Sequence, residues 1–265
     1  MVDFEQIRRD RERSKKGRRV FLVFVLAILL CVLVAVLAIF RGPWLHVQMV
    51  FVDGVHSVSE AEVIQAIQAY ITPQSWGERL ILPHGTIVGA FFKRKTIEDN
   101  LLRAYPSFFR GDLSIDLFSR SVRFSVAERE QYGLWCSKNE GCSWFDVHGI
   151  VFAPGPVTEG QLIKKVIDTT DRVMRPGDCV LDQETTTSLL SIFSFLETVG
   201  VSGRTLVLES YDAQEVRTIG NKKPVLYFST RFDPFSSLKT VERLLASKTS
   251  LEYIDLRVKN RVYYK

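Results

Sequence analysis

The sequence predicts an α+β protein in three parts: an N-terminal single transmembrane helix, a small domain of mixed strands and helices, and a larger sheet-based α+β domain. Three observations predict these parts. Residues 20–40 carry no charge, residues 46–128 alternate between strand-like and helix-like periodicity, and residues 129–265 contain mostly short strands with two amphipathic helices between them. Strand and helix patterns that occur in separate runs are typical of α+β folds.

The apolar run begins at Val20 and ends at Phe40, and none of its 21 residues is charged. At about 1.5 Å of rise per residue, a helix of this length spans a hydrocarbon core of about 30 Å. A cleaved signal peptide is the alternative, because Ala35 and Ala38 are small residues near the end of the run. Signal peptides have apolar regions of about 7 to 15 residues and an A-x-A site, which is missing before Arg41. We therefore predict a membrane span.

The charges around this run predict its orientation. The first 19 residues hold eight Lys or Arg and four Asp or Glu, whereas only Arg41 follows the run closely. The positive-inside rule places residues 1–19 in the cytoplasm, as a basic tail, and the residues after the span outside the cell membrane. Eight minus four charges give this tail +4 of the formal net charge of +5, so the lipid bilayer is its expected partner. The near-neutral remainder argues against nucleic acid as a partner.

Two cysteines flank a short run of turn-favouring residues. Cys136 and Cys142 can face each other across the mouth of a hairpin, and an oxidising exterior permits a disulfide, which we predict there. A metal site is the alternative, because Asp146 and His148 are close in sequence, but a second pair of ligands is missing nearby. Cys179 is expected to be a buried free thiol.

The first half of the small domain reads as a strand followed by a helix. Residues 47–52 are β-rich and end at a Gly-containing turn signal, which predicts the strand. Ser59 and Glu62 have the spacing of a capping box, so a helix of about three turns is predicted from there to residue 72. Its inward face is predicted to consist of Val63, Ile64, Ile67, Tyr70 and Ile71.

The second half of this domain reads as a helix followed by two strands. Residues 72–95 are predicted to form a long loop, and a short helix is predicted from Thr96, a candidate N-cap, to Ala104. Alternating strands follow at 113–117 and 122–126, with a tight turn between them. The alternation puts one set of side chains on the inward face of the first strand: Leu113, Ile115 and Leu117.

The larger domain consists mostly of strands. They are predicted at 132–136, 142–147, 150–152, 206–209, 215–219 and 225–228. Two amphipathic helices are predicted at 184–199 and 234–247, because apolar residues recur on one face of each.

The chain ends in two further predicted strands. Residues 253–258 alternate cleanly, so Ile254, Leu256 and Val258 are predicted to face the core. A turn is predicted at residues 259–260, since Asn tolerates positive φ, and a final short strand follows it.

A strand at a sheet edge leaves unpaired N–H and C=O groups that an extended segment of a partner can complete. The last strands are therefore a candidate binding edge. The alternative is that they only finish the core and that basic side chains protect the edge: Lys259, Arg261 and Lys265.

Several motifs occur in a specific order along the chain: the 52–58 turn, Tyr105-Pro106 after the second helix, and Val-Ala-Glu-Arg at 126–129. Together with the strand-helix-helix-strand-strand order, they resemble the POTRA domain of bacterial cell-division proteins of the FtsQ/DivIB type. The basic tail, the single span and the Tyr-Ile-Asp-Leu-Arg run near the C-terminus are also similar to this family, so the resemblance covers nearly the whole chain. It implies a POTRA-like β-α-α-β-β domain at 46–128 and an FtsQ/DivIB-like β domain at 129–265.

The resemblance also implies a function. It suggests a single-pass scaffold of the divisome at the division septum, whose partners are coiled-coil bitopic proteins of the FtsB/DivIC and FtsL class, bound by strand addition at the C-terminal edge. Carried over by position, the implied contact residues are Tyr253, Arg257, Val258, Arg261, Val262 and Tyr263. The family often has an aromatic residue after Asp-Leu-Arg, whereas this chain has Val258.

No motif of a serine hydrolase, a zinc protease or a phosphate-binding loop occurs in the sequence. We therefore predict that the chain is not an enzyme and that it uses no cofactor, metal or small-molecule substrate. A membrane-anchored sensor or ligand-binding receptor is the alternative function, and it would need a sizeable apolar pocket with convergent polar groups. A cell-wall hydrolase is a third hypothesis, and it would need a carboxylate pair or a metal cluster.

Overall fold

The computed structural model describes residues 21–36, 38, 42–73, 75–81, 85–137, 141–158, 162–170, 172–201, 205–219, 223–247 and 250–265. The chain has an α+β fold with a large mixed sheet, which confirms the predicted class. It divides into two compact units. Unit 1 takes in the described residues up to Leu101 together with Gly111–Ser125, and unit 2 comprises Leu102–Arg110 and Val126–Lys265.

The first described element is a helix, α1, over residues 21–36. Its large apolar side chains are exposed along the whole helix. Val20 and Phe40, the ends of the predicted transmembrane helix, lie outside the described residues, as does the basic tail at 1–19. Within the described ranges, none of the helices has both the length and the apolarity that crossing a bilayer requires.

A three-stranded sheet and three helices follow. Their bounds are Pro43–Leu45 (a 3₁₀ turn), β1 Met49–Asp53, α2 Glu60–Ile71, α3 Trp76–Ile81, α4 Ile87–Ala104, β2 Phe108–Asp116 and β3 Ser121–Glu128. Strand β3 is central, and β1 pairs with it in parallel, with Met49 opposite Ser121. The division between the two units falls within α4, β2 and β3, whereas the sequence predicted a boundary between residues 128 and 129.

Helix α2 begins where the sequence predicts. Ser59 is its N-cap residue with extended backbone angles, but its side chain makes no capping hydrogen bond, so the predicted capping box is only partly formed. Val63, Ile67 and Ile71 are buried, in agreement with the predicted inward face. Spacings of four residues place these side chains on one side of the helix.

The predicted loop over 72–95 is wrong, because it contains α3 and the first half of α4. The first half of α4 buries the small residues Gly89 and Ala90, while Phe91 and Phe92 are exposed. Ile87 is buried as well, but the largest apolar side chains of this half, Phe91 and Phe92, are on its exposed side, so the periodicity that predicts amphipathic helices is hidden.

The inward position predicted for Leu117 is also wrong. Strand β2 ends at Asp116, whose carboxylate accepts hydrogen bonds from the backbone N–H of Phe118 (2.9 Å) and of Ser119 (3.3 Å). These bonds form a side-chain-stabilised turn directly after the strand. Leu117 is consequently in the turn and exposed.

After β3, the described residues of unit 2 form nine strands in one sheet, and two helices. Their bounds are β4 Gly133–Ser137, β5 Gly141–Phe145, β6 Val151–Gly155, β7 Lys165–Asp168, α5 Gln183–Thr198, β8 Thr205–Ser210, β9 Glu215–Thr218, β10 Val225–Ser229, α6 Leu238–Ala246, β11 Tyr253–Leu256 and β12 Tyr263–Tyr264, with a 3₁₀ turn at Pro234–Ser237 before α6. The strand order is β12-β11-β10-β9-β8-β7-β4-β5-β6. Strands β4, β7 and β8 run parallel to one another, as do β10 and β11, and the other neighbours are antiparallel.

Strand β7 is absent from the sequence prediction. It has only four residues, and one of them, Asp168, is a buried carboxylate that accepts a hydrogen bond from the Trp135 indole N–H (3.2 Å). A buried polar residue in so short a strand interrupts the apolar pattern from which strands are predicted. The hydrogen bond with Trp135 satisfies the Asp168 carboxylate within this interior strand.

The core of unit 2 lies between the sheet and its helices. Helix α5 is capped by the Asp182 carboxylate, which accepts a hydrogen bond from Thr185 N–H (2.9 Å). Phe195 of α5 packs edge-to-face on Phe228 of β10, with ring centroids 5.8 Å apart. Ile254 and Leu256 of β11 are buried in the same core, so the C-terminal strands are part of its packing.

Candidate partner-binding edge

Strand β12 forms one edge of the nine-stranded sheet. It pairs antiparallel with β11, with Tyr264 opposite Ile254 and Tyr263 opposite Asp255. Among the strands that the structure describes, none pairs with the outer side of β12. The outer side is therefore available to an added strand.

The hydrogen bonds at the C-terminus identify which backbone groups point outward. Lys265 N–H donates to Tyr253 C=O (3.3 Å), and Lys265 C=O accepts from Glu252 N–H (2.6 Å), so the backbone of Lys265 faces β11. Successive residues of a strand direct their backbone groups to opposite sides. The N–H and C=O of Tyr264 therefore point away from the sheet.

The opposite edge, β6, is guarded in two ways. Val151 N–H donates to Asp178 C=O (3.0 Å), and Val151 C=O accepts from Gly177 N–H (2.7 Å), so the chain at 177–178 occupies the outer side of β6. Pro154, further along the strand, has no N–H to offer. Both are common devices against edge-to-edge association.

Arg257 stands at the centre of a network of charges beside β12. Its guanidinium is 2.7 Å from the Asp255 carboxylate and 2.9 Å from that of Glu215, and it lies over the Tyr227 ring at 5.1 Å. The hydrogen bond with Asp255 is the main cause of the raised pKa of Arg257, and it also lowers the pKa of Asp255. The sequence assigned Arg257 to the partner, whereas its nearest groups belong to its own sheet.

The lowered pKa of Asp255 predicts a pH dependence. Its charged form is stabilised by folding, so this stability is present above the unfolded pKa of about 3.9 and is lost as pH falls through the lower folded pKa. At pH 7 we expect Asp255→Asn to melt at a lower temperature than the unsubstituted chain. We expect this difference in melting temperature to disappear as pH falls below about 4. Melting of both proteins in detergent from pH 7 to pH 2.5 measures it. A difference that stays constant over this range would contradict the assignment.

Tyrosine side chains surround the same edge. Tyr263 and Tyr264 are exposed, and half-buried Tyr253 packs edge-to-face on Tyr227, with ring centroids 6.2 Å apart. Because residues directly opposite in an antiparallel pair share a face, Tyr263 lies on the face of Asp255, beside the Arg257 network. Tyrosine is enriched at protein interfaces, where its ring and hydroxyl both make contacts.

The other three predicted contact residues differ in their environments. The inward position predicted for Val258 is wrong, because β11 ends at Leu256 and Val258 is exposed in the following turn. Arg261 is exposed, whereas Val262 is half-buried and packs against the core. Asn260 has a φ of 58°, in agreement with the turn predicted there.

Cys136 and Cys142 form a disulfide and lie directly opposite each other in the β4–β5 pair. The expectation that Cys179 is buried is wrong. Cys179 is exposed because it lies in the segment that runs along the outer side of β6, where it forms an isolated bridge with Ile150.

A second feature of unit 2 is a groove of about 270 Å³, lined by Phe109, Ala127, Glu128, Arg129, Glu130, Asp146, Val147 and His148. The guanidinium of Arg129 pairs with the carboxylate of Asp146, with a distance of 2.6 Å. Arg129 also donates to Pro106 C=O (2.9 Å), and Asp146 accepts from the backbone N–H of His148 and of Ile150. This pair therefore joins the residue directly after β3 to the turn after β5.

No cluster of three or more metal-ligating side chains occurs in the part of the chain that the structure describes. Comparison of the sequence with protein-family models and with curated proteins finds no significant match in either case.

Proposed function

We propose that the chain is a single-pass membrane scaffold of the bacterial division machinery, which holds the extended segment of a coiled-coil bitopic partner by strand addition at β12. The proposal combines the resemblance to the FtsQ/DivIB family with the geometry of the C-terminal edge. Membrane attachment is assigned to the uncharged run from Val20 to Phe40. The exposed apolar side chains of α1 support this part of the proposal, because lipid would cover them.

The difference between the two sheet edges carries the binding proposal. One edge, β6, has its outer side occupied by the chain at 177–178 and contains a proline. The other edge, β12, has outward backbone groups at Tyr264 and two exposed tyrosines. Proteins that avoid association protect both edges. Strand β12 is short and is flanked by the exposed basic residues Arg261 and Lys265, which limit unselective pairing, but no described strand covers its outer side. Such an edge is consistent with selective β-augmentation.

The packing of β11 supports the same proposal. Ile254 and Leu256 hold β11 in the core, and Arg257 joins β11 to Glu215 of β9. Strand β12 thus rests on a neighbour whose position is fixed by packing and by charge pairs. A preformed edge lowers the entropy that is lost when a partner's segment becomes ordered on it.

The receptor hypothesis would place a ligand in the 270 Å³ groove of unit 2. At that groove, Arg129 and Asp146 are paired with each other at 2.6 Å, so a ligand would have to break a largely buried ion pair to use either charge. This cost argues against a receptor site in this groove.

Depletion of the chain in its source bacterium tests the cellular function. We expect depleted cells to elongate without dividing and an N-terminally tagged chain to gather at the division site, since an N-terminal tag leaves β12 free. Restoration of division by the tagged chain is the control. Normal division after complete depletion, with the tagged chain spread evenly over the membrane, would contradict the proposed function whatever the chain binds.

A further inference from the structure

Three segments of unit 1 meet at residues 46–48, just after the chain leaves the predicted span. His46 forms an isolated bridge with Thr86, and Val47 N–H donates to Gly85 C=O (3.0 Å), which joins this point to the start of α4. On the other side, Gln48 N–H donates to Arg120 C=O (2.9 Å), which joins it to the turn between β2 and β3. The end of unit 1 is therefore built from the 42–48 segment, the start of α4 and the 117–120 turn.

Each of these segments exposes large apolar side chains. Trp44 is 78% exposed, Phe92 on α4 is 78% exposed, and Phe118 in the turn is fully exposed, with Phe91 and Leu117 also exposed beside them. Phe92 lies six residues after Thr86, or about 9 Å along the helix. We call the five exposed side chains of Trp44, Phe91, Phe92, Leu117 and Phe118 the aromatic end. Exposed apolar side chains that converge in this way mark a surface that is covered by a partner or by lipid.

Helix α3 belongs to the same region of the chain. It lies between the end of α2 and Gly85, and Gly85 is close to Ile71, the last residue of α2. Trp76, in the first turn of α3, is 83% exposed. The connection from α2 to α4 therefore carries a further exposed ring.

Basic residues accompany the aromatic side chains. Phe91 and Phe92 lie four and three residues before Lys95, so the three side chains share the outward face of α4, and all three are exposed. Arg120, in the 117–120 turn, adds a positive charge on the other side of residues 46–48. Rings flanked by Lys and Arg match the interfacial zone of a bilayer with anionic headgroups.

The position of Trp44 indicates that lipid covers the aromatic end. It follows Phe40, the predicted end of the span, by only four residues, which reach at most about 14 Å even when fully extended. A surface so close to a membrane-spanning helix must lie near the headgroups. We propose that the aromatic end of unit 1 inserts into the outer headgroup region of the bilayer and holds this unit against the membrane. The inference rests on the proposed membrane span but not on strand addition at β12.

Lipid quenching of a fluorescent label tests this proposal in the full chain, reconstituted into vesicles of phosphatidylethanolamine and phosphatidylglycerol. An environment-sensitive label is attached at position 92 in Phe92→Cys and at position 118 in Phe118→Cys. Both are made in a chain with Cys31→Ser and Cys179→Ser, in which the Cys136–Cys142 disulfide remains closed to the label. The matched control is Glu60→Cys, an exposed position at the other end of α2, about 16 Å along the helix from Ile71.

We expect the labels at 92 and 118 to emit at shorter wavelength and to lose most of their intensity when the acyl chains are brominated, whereas the label at 60 is unchanged. A label on native Cys31, in a chain with Cys179→Ser, reports separately on the span. Quenching at Cys31 alone would overturn the inference and leave the membrane anchor intact, with the aromatic end open to a protein. Quenching at none of the positions 31, 60, 92 and 118 would overturn both the insertion of the aromatic end and the proposed membrane span.

Discussion

Replacement of Tyr264 by proline is expected to weaken binding of the proposed coiled-coil partner about tenfold, because one backbone hydrogen bond contributes about 0.5–1.5 kcal/mol and about 1.4 kcal/mol changes a dissociation constant tenfold. Proline removes the outward N–H of Tyr264 without removing a bond to β11, since Lys265 and not Tyr264 directs its backbone toward β11. Proline is tolerated on edge strands where its missing N–H would face solvent and not a neighbouring strand. The dissociation constant is measured with the full chain in nanodiscs and the purified FtsB/DivIC-class protein of the same bacterium.

The control for this substitution is Tyr264→Ala, which removes the side chain and keeps the N–H. The side chain of Tyr264 is 58% exposed, so neither variant should unfold the sheet, and equal melting temperatures check this. We expect alanine to weaken binding less than proline does. Equal weakening by both would assign the binding to the tyrosine ring and would contradict strand addition.

Replacement of Asp146 by asparagine is expected to lower the free energy of unfolding of unit 2 by about 3–5 kcal/mol, the range found when one partner of a buried ion pair is removed. The side chains of Arg129 and Asp146 are only 17% and 3% exposed. Asparagine keeps an oxygen for the backbone N–H groups of His148 and Ile150, so the substitution isolates the ion pair. Denaturant unfolding of the detergent-solubilised chain, followed by tryptophan fluorescence, measures the change.

An exposed pair in the same unit provides the comparison. Arg217 and Glu209 are almost as close, at 2.7 Å, but the Glu209 side chain is largely exposed. We expect Glu209→Gln to change the free energy of unfolding by less than about 1 kcal/mol. If Asp146→Asn had an effect no larger than this, the pair at Arg129 would have no special part in holding unit 2 together.

Elements with regular periodicity could be predicted from the sequence. The alternation in β11 placed Ile254 and Leu256 in the core correctly. The amphipathic helix predicted at 184–199 corresponds to α5, which buries Leu189, Ile192 and Phe193. In these elements the buried residues are large and apolar, so burial and sequence pattern coincide.

Elements whose burial depends on small or polar residues could not be predicted in this way. The first half of α4 buries Gly89 and Ala90, and β7 buries Asp168. The position of β7 between β4 and β8 is a further example, because parallel neighbours are distant along the chain and no local turn signals them.

The candidate site could be predicted only in outline. The sequence located a C-terminal strand and its turn, but an edge is defined by what is missing beside it, and this depends on the order of all nine strands. The role of Arg257 was hidden for a related reason. Its partner Glu215 is 42 residues away in sequence, and β9 and β11 flank the same strand, β10.

Hydrogen exchange at the Tyr264 amide, with and without the bound partner, tests strand addition at β12 most directly. The full chain is compared in nanodiscs, alone and saturated with the coiled-coil protein, at single-residue resolution. The proposed mode of binding predicts that the Tyr264 amide exchanges quickly in the free chain and slows when the partner pairs with it. Tight binding of the partner with unchanged exchange at Tyr264, and with protection elsewhere in the chain, would contradict it.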